Sequence, residues 1–164
     1  MIRAAMERSG EAVDAYETIN DVLVNLFHEI WELEEKAIIT DEFQDISNND
    51  MHILEAIGLG KDRTMSAVAR QLGITAGSLT TSMNSLVRKK YVERGRCEED
   101  RRVVYISLTE KGRRAYTHHE NFHHQMTSAA LERLTEEEIP LLVKTLNSLA
   151  VFFRNYGEDR RDHV

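Results

Sequence analysis

The sequence predicts a mainly α-helical fold that carries one small β-hairpin. Over most of the 164-residue chain, apolar residues recur three and four positions apart, which is the spacing of amphipathic helices. Two short runs rich in valine, tyrosine and isoleucine interrupt this spacing, and a polar, charged segment separates them. The chain has a single proline, which argues against long loops and linkers.

The first predicted helix follows a polar tail at residues 1–13 and runs from about Tyr16 to Ala37. Its apolar positions repeat at helical spacing over the whole length. They are Ile19, Val22, Leu23, Leu26, Phe27, Ile30, Leu33 and Ala37. This stripe is longer than the core of one small chain requires, so we expect part of it to pack against a second copy.

A capping box predicts the start of the next, shorter helix. Ser47 is the cap and Asp50 follows three residues later. Gly58 marks the end of this helix. Its inward positions are Ile53, Leu54 and Ile57.

Two further short helices follow with a tight turn between them. The first begins after Thr64 and is closed by Gly73, and the second runs from Ala76 to about Lys89. Their inward residues are Val68, Ala69 and Leu72 in the first and Leu79, Met83 and Leu86 in the second. Two short helices joined in this way are the helix-turn-helix pattern.

The two runs rich in valine, tyrosine and isoleucine predict strands at residues 91–94 and 103–108, with a charged tip at 95–102. A hairpin in this position is a wing, which makes the predicted fold a winged helix-turn-helix. Thr109 then caps a long helix, and a capping box from Thr135 to Glu138 opens the last one. The stripe of that last helix is Leu142, Leu146, Leu149, Phe152 and Phe153.

The charge of the chain is unevenly distributed. The net charge is −7, but residues 61–114 hold 13 Lys and Arg against 6 Asp and Glu. Because a bound phosphate responds to the local field rather than to the total charge, this basic stretch predicts nucleic-acid binding.

The exposed face of the second helix of the motif carries small hydroxyl residues that let a helix enter the major groove. The predicted DNA-binding residues on it are Thr75, Gly77, Ser78, Thr81, Ser85 and Arg88. An ordinary solvated helix face is the alternative. The preceding helix and the basic hairpin that follows favour the DNA interpretation.

Four arginines and an aspartate of the wing are also predicted to take part in DNA binding. They are Arg94, Arg96, Asp100, Arg101 and Arg102. A guanidinium on a hairpin tip fits the narrow minor groove, and Asp100 is placed to brace Arg102. The alternative is an ordinary exposed charged turn.

The runs from Leu86 to Arg94 and from Glu99 to Gly112 resemble the signature of the MarR family of transcription regulators. The resemblance implies one domain over residues 14–164, with dimerisation helices at 14–46 and 109–157 and a DNA-binding part at 50–108. It also implies a homodimer, a palindromic operator of double-stranded DNA and an effector pocket. Lys90 departs from the family pattern, since a glycine with a left-handed backbone is usual there.

Within the family, the chain is similar to the fatty-acid-synthesis repressors of the FabT type. The similar segments are residues 80–86, 100–104 and 122–123. This resemblance implies repression of fatty acid synthesis genes, with acyl-acyl carrier protein as corepressor. The alternative is a regulator of transport or resistance genes that responds to zinc, another metal or a small molecule.

Histidines in the long helix before the last one add a candidate metal site. His119 and His123 share the apolar helix face, whereas His118 and His124 point elsewhere and are expected to be solvated. Together with Glu34 and His52, the two inward histidines are similar to the zinc-binding set of the family's zinc-uptake repressors. The alternative is a buried polar cluster that orients helices without metal.

Other classes fit less well. The sequence lacks a glycine-rich phosphate loop and a nucleophile elbow, so we expect no enzyme activity. A pure protein-interaction module would leave the basic stretch without a role. A single cysteine, Cys97, excludes an internal disulfide, and no apolar run reaches membrane-spanning length. These features predict a cytoplasmic protein that does not bind membranes.

Overall fold

The computed structural model describes residues 10–60, 63–96 and 104–159. Most of these residues are helical, as predicted, and they surround a small antiparallel sheet of three strands. In chain order the elements are α1 (Gly10–Ile38), α2 (Asn48–Ile57), β1 (Arg63–Thr64), α3 (Met65–Leu72), α4 (Ala76–Arg88), β2 (Val92–Arg96), β3 (Val104–Leu108), α5 (Glu110–Leu131) and α6 (Glu138–Asp159).

The chain divides into two compact units, one up to Phe122 and one from His123 onward. The first unit holds a core to which α2, α3, α4 and the sheet all contribute. Its fully buried side chains include Leu54, Val68, Leu79, Met83, Leu86, Tyr91 and Ile106. The second unit contains α6, on which Leu141, Leu146, Phe152 and Phe153 are exposed.

The helix-turn-helix forms because local side-chain bonds mark each of its ends. The hydroxyl of Thr64 accepts the N–H of Ala67 at the start of α3. Gly73 ends that helix in the left-handed conformation, at φ 65°, and the hydroxyl of Thr75 caps α4 by accepting the N–H of Ser78. Such caps satisfy backbone groups that a helix end leaves unpaired. The sharp turn between α3 and α4 follows from these residues.

The sheet has one strand more than the sequence predicted. The hairpin of β2 and β3 pairs from Val92 opposite Leu108 to Arg96 opposite Val104. The additional strand, β1, pairs Arg63 with Ile106 on the other side of β3, so the strand order is β1-β3-β2. A strand of two residues is too short to show alternation, which is why sequence periodicity did not predict β1.

A polar junction connects the end of α4 to the start of α5. The hydroxyl of buried Tyr91 donates to Asp45 at 2.7 Å, and Lys111 donates to the same oxygen at 3.2 Å while lying 3.9 Å above the Tyr91 ring. The bond from Tyr91, together with Lys111, lowers the pKa of the Asp45 carboxyl. Burial and the bond to Asp45 raise the pKa of Tyr91 above its usual value. The junction therefore holds a neutral phenol beside an ionised carboxylate.

Lys90 has a left-handed backbone, with φ 64°, in the position where the family usually has glycine. A residue with a β carbon destabilises the folded state by about 1–2 kcal/mol in this conformation. Glycine avoids this strain, but its greater conformational freedom in the unfolded chain offsets part of the gain. We expect Lys90→Gly to raise the free energy of unfolding by about 0.5–1 kcal/mol, as measured by urea denaturation. Lys90→Ala is the control, because it keeps the β carbon. An equal gain in both variants would show that strain at φ 64° is not the cause.

Candidate nucleic-acid interface

The face of α4 that was predicted to bind DNA is open to solvent. Leu79, Met83 and Leu86 are fully buried on the opposite side of the helix. Ser85 is half-buried, and the other predicted residues of this helix are exposed: Thr75, Gly77, Ser78, Thr81 and Arg88. One side of α4 is therefore buried in the core, and the opposite side presents small residues to solvent. A helix that enters the major groove requires this arrangement.

The hydroxyl groups on this face bond within the helix. Thr75 Oγ1 and Ser78 Oγ lie 2.9 Å apart, and Thr81 Oγ1 donates to the carbonyl of Gly77 at 3.3 Å. Arg88 directs one guanidinium N–H toward Ser85 Oγ at 3.5 Å. A hydroxyl oxygen can still accept a bond while it donates one, and a guanidinium has five N–H donors. These side chains keep the capacity to contact phosphates and bases.

Arg94 reaches from the wing to α4. Its Nη2 donates to Asn84 Oδ1 at 2.8 Å, so the side chain joins β2 to the predicted DNA-binding helix. Asn84 is exposed and was not among the sequence-predicted residues. Asn84 lies three residues after Thr81 and four before Arg88, and this helical spacing could have identified it as part of the same face.

The remaining wing residues are less completely described. Arg96 is in β2 opposite Val104. Asp100, Arg101 and Arg102 lie outside the described residues, as does Cys97. Their contribution to DNA binding stays a prediction.

Arg102→Ala is expected to weaken binding to random-sequence duplex DNA and to leave folding intact. Loss of one phosphate or minor-groove contact lowers the slope of log affinity against log salt by about one unit. Fluorescence anisotropy over a salt series measures this slope. Arg133→Ala, the same change at an exposed arginine after α5, is the control. An unchanged slope for Arg102→Ala would exclude Arg102 from the interface.

The predicted Glu34, His52 and His119 come together inside the first unit. His119 Nε2 lies 2.7 Å from Glu34 Oε1, and His52 Nε2 lies 3.7 Å from the same oxygen. Glu34 and His119 are both buried, and Asn48 Nδ2 donates to Glu34 Oε2 at 3.2 Å. The fourth predicted residue, His123, follows His119 by four positions on α5 and so shares its helix face.

Glu55 belongs to the same cluster, although sequence analysis did not select it. It lies on α2 three residues after His52, with its carboxylate 3.3 Å from His52 Nδ1 and 3.6 Å from His119 Nδ1. Each imidazole therefore faces Glu34 with one nitrogen and Glu55 with the other. The i, i+3 spacing from His52 was the signal that could have identified Glu55.

Comparison with known proteins identifies the family. The model of the MarR family matches residues 44–103. The structure of Streptococcus pneumoniae FabT in complex with DNA is 40% identical to the chain, covers 85% of it and 98% of FabT, and superposes with a TM-score of 0.81. The chain belongs to the MarR family. This MarR-family protein is also 26% identical to the transcriptional repressor YetL of Bacillus subtilis over 145 residues, covering 85% of this chain and 87% of YetL.

A further structure supports the fold. The Staphylococcus aureus MepR–DNA complex is 22% identical, with a TM-score of 0.67, and the match covers 82% of this chain and 97% of MepR. The winged helix-turn-helix prediction is thereby confirmed. This MarR-family protein is a DNA-binding transcription regulator of the repressor type, and its relatives are regulators rather than enzymes. Within the described ranges, none of its helices is long and apolar enough to span a membrane.

Proposed function

We propose that this MarR-family protein is a homodimeric repressor of fatty acid synthesis genes, with long-chain acyl-acyl carrier protein as its corepressor and a palindromic operator as its DNA target. The 40% identity to S. pneumoniae FabT over 85% of the chain carries the proposal. The FabT-type segments at residues 80–86, 100–104 and 122–123 support it independently of the fold.

The homodimer is supported by the apolar surface of the two long terminal helices, each considered by itself. On α1, Tyr16, Val24 and Phe27 are each 60–63% exposed. On α6, Leu141 is 65% exposed, and Phe152 about half exposed. Several large apolar side chains exposed along one helix indicate an interaction site.

Light scattering at micromolar concentration tests the homodimer. We expect twice the 18.9 kDa mass of one chain. A replacement of Phe27 by aspartate puts a charge on the exposed stripe and is expected to shift the mass toward that of one chain. Phe27 is exposed, so this change spares the core. A wild-type mass of one chain would contradict the homodimer.

The corepressor is tested by gel shift on duplex DNA from the promoters of fatty acid synthesis genes. We expect long-chain acyl-acyl carrier protein to raise DNA affinity about 5- to 150-fold, which corresponds to a coupling of about 1–3 kcal/mol between the two ligands. The unacylated carrier protein and the free fatty acid are the controls. Identical midpoints with acylated and unacylated carrier would exclude this corepressor and leave DNA binding intact.

A second candidate, a zinc-responsive regulator, is favoured by the convergence of Glu34, His52 and His119. Imidazole nitrogens and a carboxylate are ligands that zinc prefers, and His123 would complete a set of four. Glu55 offers the competing interpretation, because two carboxylates on either side of two imidazoles can also form a hydrogen-bonded cluster without metal.

Metal analysis distinguishes these two interpretations. Protein purified without chelator or nickel resin is expected to hold about one zinc per chain if the site binds metal, and the His119→Ala/His123→Ala variant is expected to hold none. A gel shift with added zinc and with chelator then measures whether the metal changes DNA affinity. Absence of zinc from the wild-type protein, after dialysis against zinc as well, would leave the cluster structural.

A further inference from the structure

The position of Asn84 on α4 places it within the predicted DNA-binding face. A helix turns about 100° per residue, so Asn84 lies about 40° from Arg88 and about 60° from Thr81 around the axis. All three are exposed, whereas Met83, the preceding residue, is fully buried. Asn84 therefore points to the same side as the residues that are expected to meet DNA.

The bond from Arg94 fixes the orientation of the Asn84 amide. A guanidinium carries only donors, so the Asn84 atom that faces Arg94 at 2.8 Å must be the carbonyl oxygen. Rotation of the amide would bring its NH2 group against the guanidinium and break a charge-assisted bond. The backbone of Arg94 is itself held in β2, opposite Ile106.

We propose that Asn84 determines part of the sequence specificity of this regulator, and that Arg94 orients its amide for this purpose. With one lone pair of its oxygen bonded to Arg94 and the amide held in that orientation, Asn84 contacts the DNA through its NH2 group, which donates and does not accept. It therefore selects a base edge with an acceptor in the major groove, such as the N7 of a purine, the O6 of guanine or the O4 of thymine. It disfavours the amino group of cytosine. An unconstrained asparagine would instead read adenine with both amide atoms.

This inference rests on the DNA-binding activity of the family and not on the fatty acid proposal. Arg94 is a positioning residue, because its effect on base preference acts through Asn84. A contact between Arg94 and a phosphate would add affinity for every sequence equally. A change in base preference at one position is therefore the result that separates the two roles of Arg94.

Selection from a duplex library with a randomised core of about two helical turns tests the proposal. The wild-type protein is expected to select a palindromic motif. Asn84→Ala is expected to lose the preference at one base pair in each half-site and to bind the wild-type motif roughly ten- to a hundredfold more weakly. Arg94→Ala is expected to relax the same base pair, and the double variant to relax it no further than either single change.

Two more variants make the experiment decisive. Asn84→Asp keeps an acceptor for Arg94 but lacks the donor, so it is expected to lose the same preference even if the alanine variant folds poorly. Asn121→Ala, the same truncation at an exposed asparagine on α5, should leave the motif unchanged. An unaltered motif in both Asn84 variants would overturn the proposal, and an unaltered motif in Arg94→Ala would overturn the orienting role. Failure of the wild-type protein to select any motif would instead contradict sequence-specific DNA binding, and the proposal with it.

Discussion

Replacing Gly112 by alanine is expected to lower the free energy of unfolding by about 2–3 kcal/mol, because no space exists for a β carbon. A Cβ built on Gly112 would lie 2.0 Å from the backbone carbonyl oxygen of Tyr91 and 3.4 Å from Leu108 Cβ. That carbonyl already accepts the N–H of Thr109 at 3.0 Å, and Tyr91 is fully buried, so the backbone has little freedom to move away. Overpacking of this kind costs about 1–3 kcal/mol and occasionally more.

Gly77→Ala is the matched control for this prediction. A β carbon at Gly77 would meet only the Thr75 hydroxyl, at 3.8 Å, so the same chemical change creates no overlap. Alanine is favoured over glycine within a helix by about 1 kcal/mol, so Gly77→Ala should leave stability unchanged or raise it. Urea denaturation of both variants measures the contrast. Equal stabilities would show that the approach of α5 to Tyr91 is not tight.

The boundaries of α2, α3 and α4 were predictable because local interactions set them. Ser47 and Asp50 exchange side-chain and backbone bonds three residues apart, as the capping-box pattern requires. Gly73 and Thr75 likewise act within one turn of the chain. The glycine of the family signature, Gly112, was also evident in the sequence. The reason that glycine is required there, the close approach of the Tyr91 backbone, was not evident, because Tyr91 lies 21 positions earlier in the chain.

Contacts between distant segments explain what sequence analysis missed. His118 was expected to be solvated, and this prediction was wrong: its Nε2 lies 2.8 Å from the carbonyl oxygen of Ala37, and its ring lies against Phe43. Helical periodicity gives the direction of a side chain but not the neighbour that covers it. The contact of Glu55 with His119 and the bond from Arg94 to Asn84 were missed for the same reason. Each of them links residues of two separate elements that pack together.

His119→Ala is expected to lower the free energy of unfolding of the metal-free protein by about 3–5 kcal/mol. The His119 imidazole is fully buried, and its Nε2 lies 2.7 Å from Oε1 of Glu34, which is itself only 4% exposed. Removal of His119 takes away the nearest imidazole from a buried carboxyl group, and loss of one partner of a buried pair of this kind accounts for most of the cost. The Asn48 amide and the His52 imidazole would remain near Glu34, but the amide is neutral, and His52 lies farther away, at 3.7 Å, and is partly exposed. Urea denaturation in the presence of a chelator measures the effect.

Two comparisons separate the charge effect from simple loss of packing. His118→Ala removes a neighbouring imidazole that faces a neutral backbone carbonyl, and should cost about 1 kcal/mol. Adding Glu34→Gln to His119→Ala removes the buried carboxyl group that has lost its nearest imidazole, and should therefore recover part of the lost stability. If the double variant is instead less stable than His119→Ala, the remaining partners His52 and Asn48 stabilise Glu34 sufficiently without the His119 imidazole. The cluster would then stabilise the first unit through packing, and the pairing of Glu34 with His119 would contribute little.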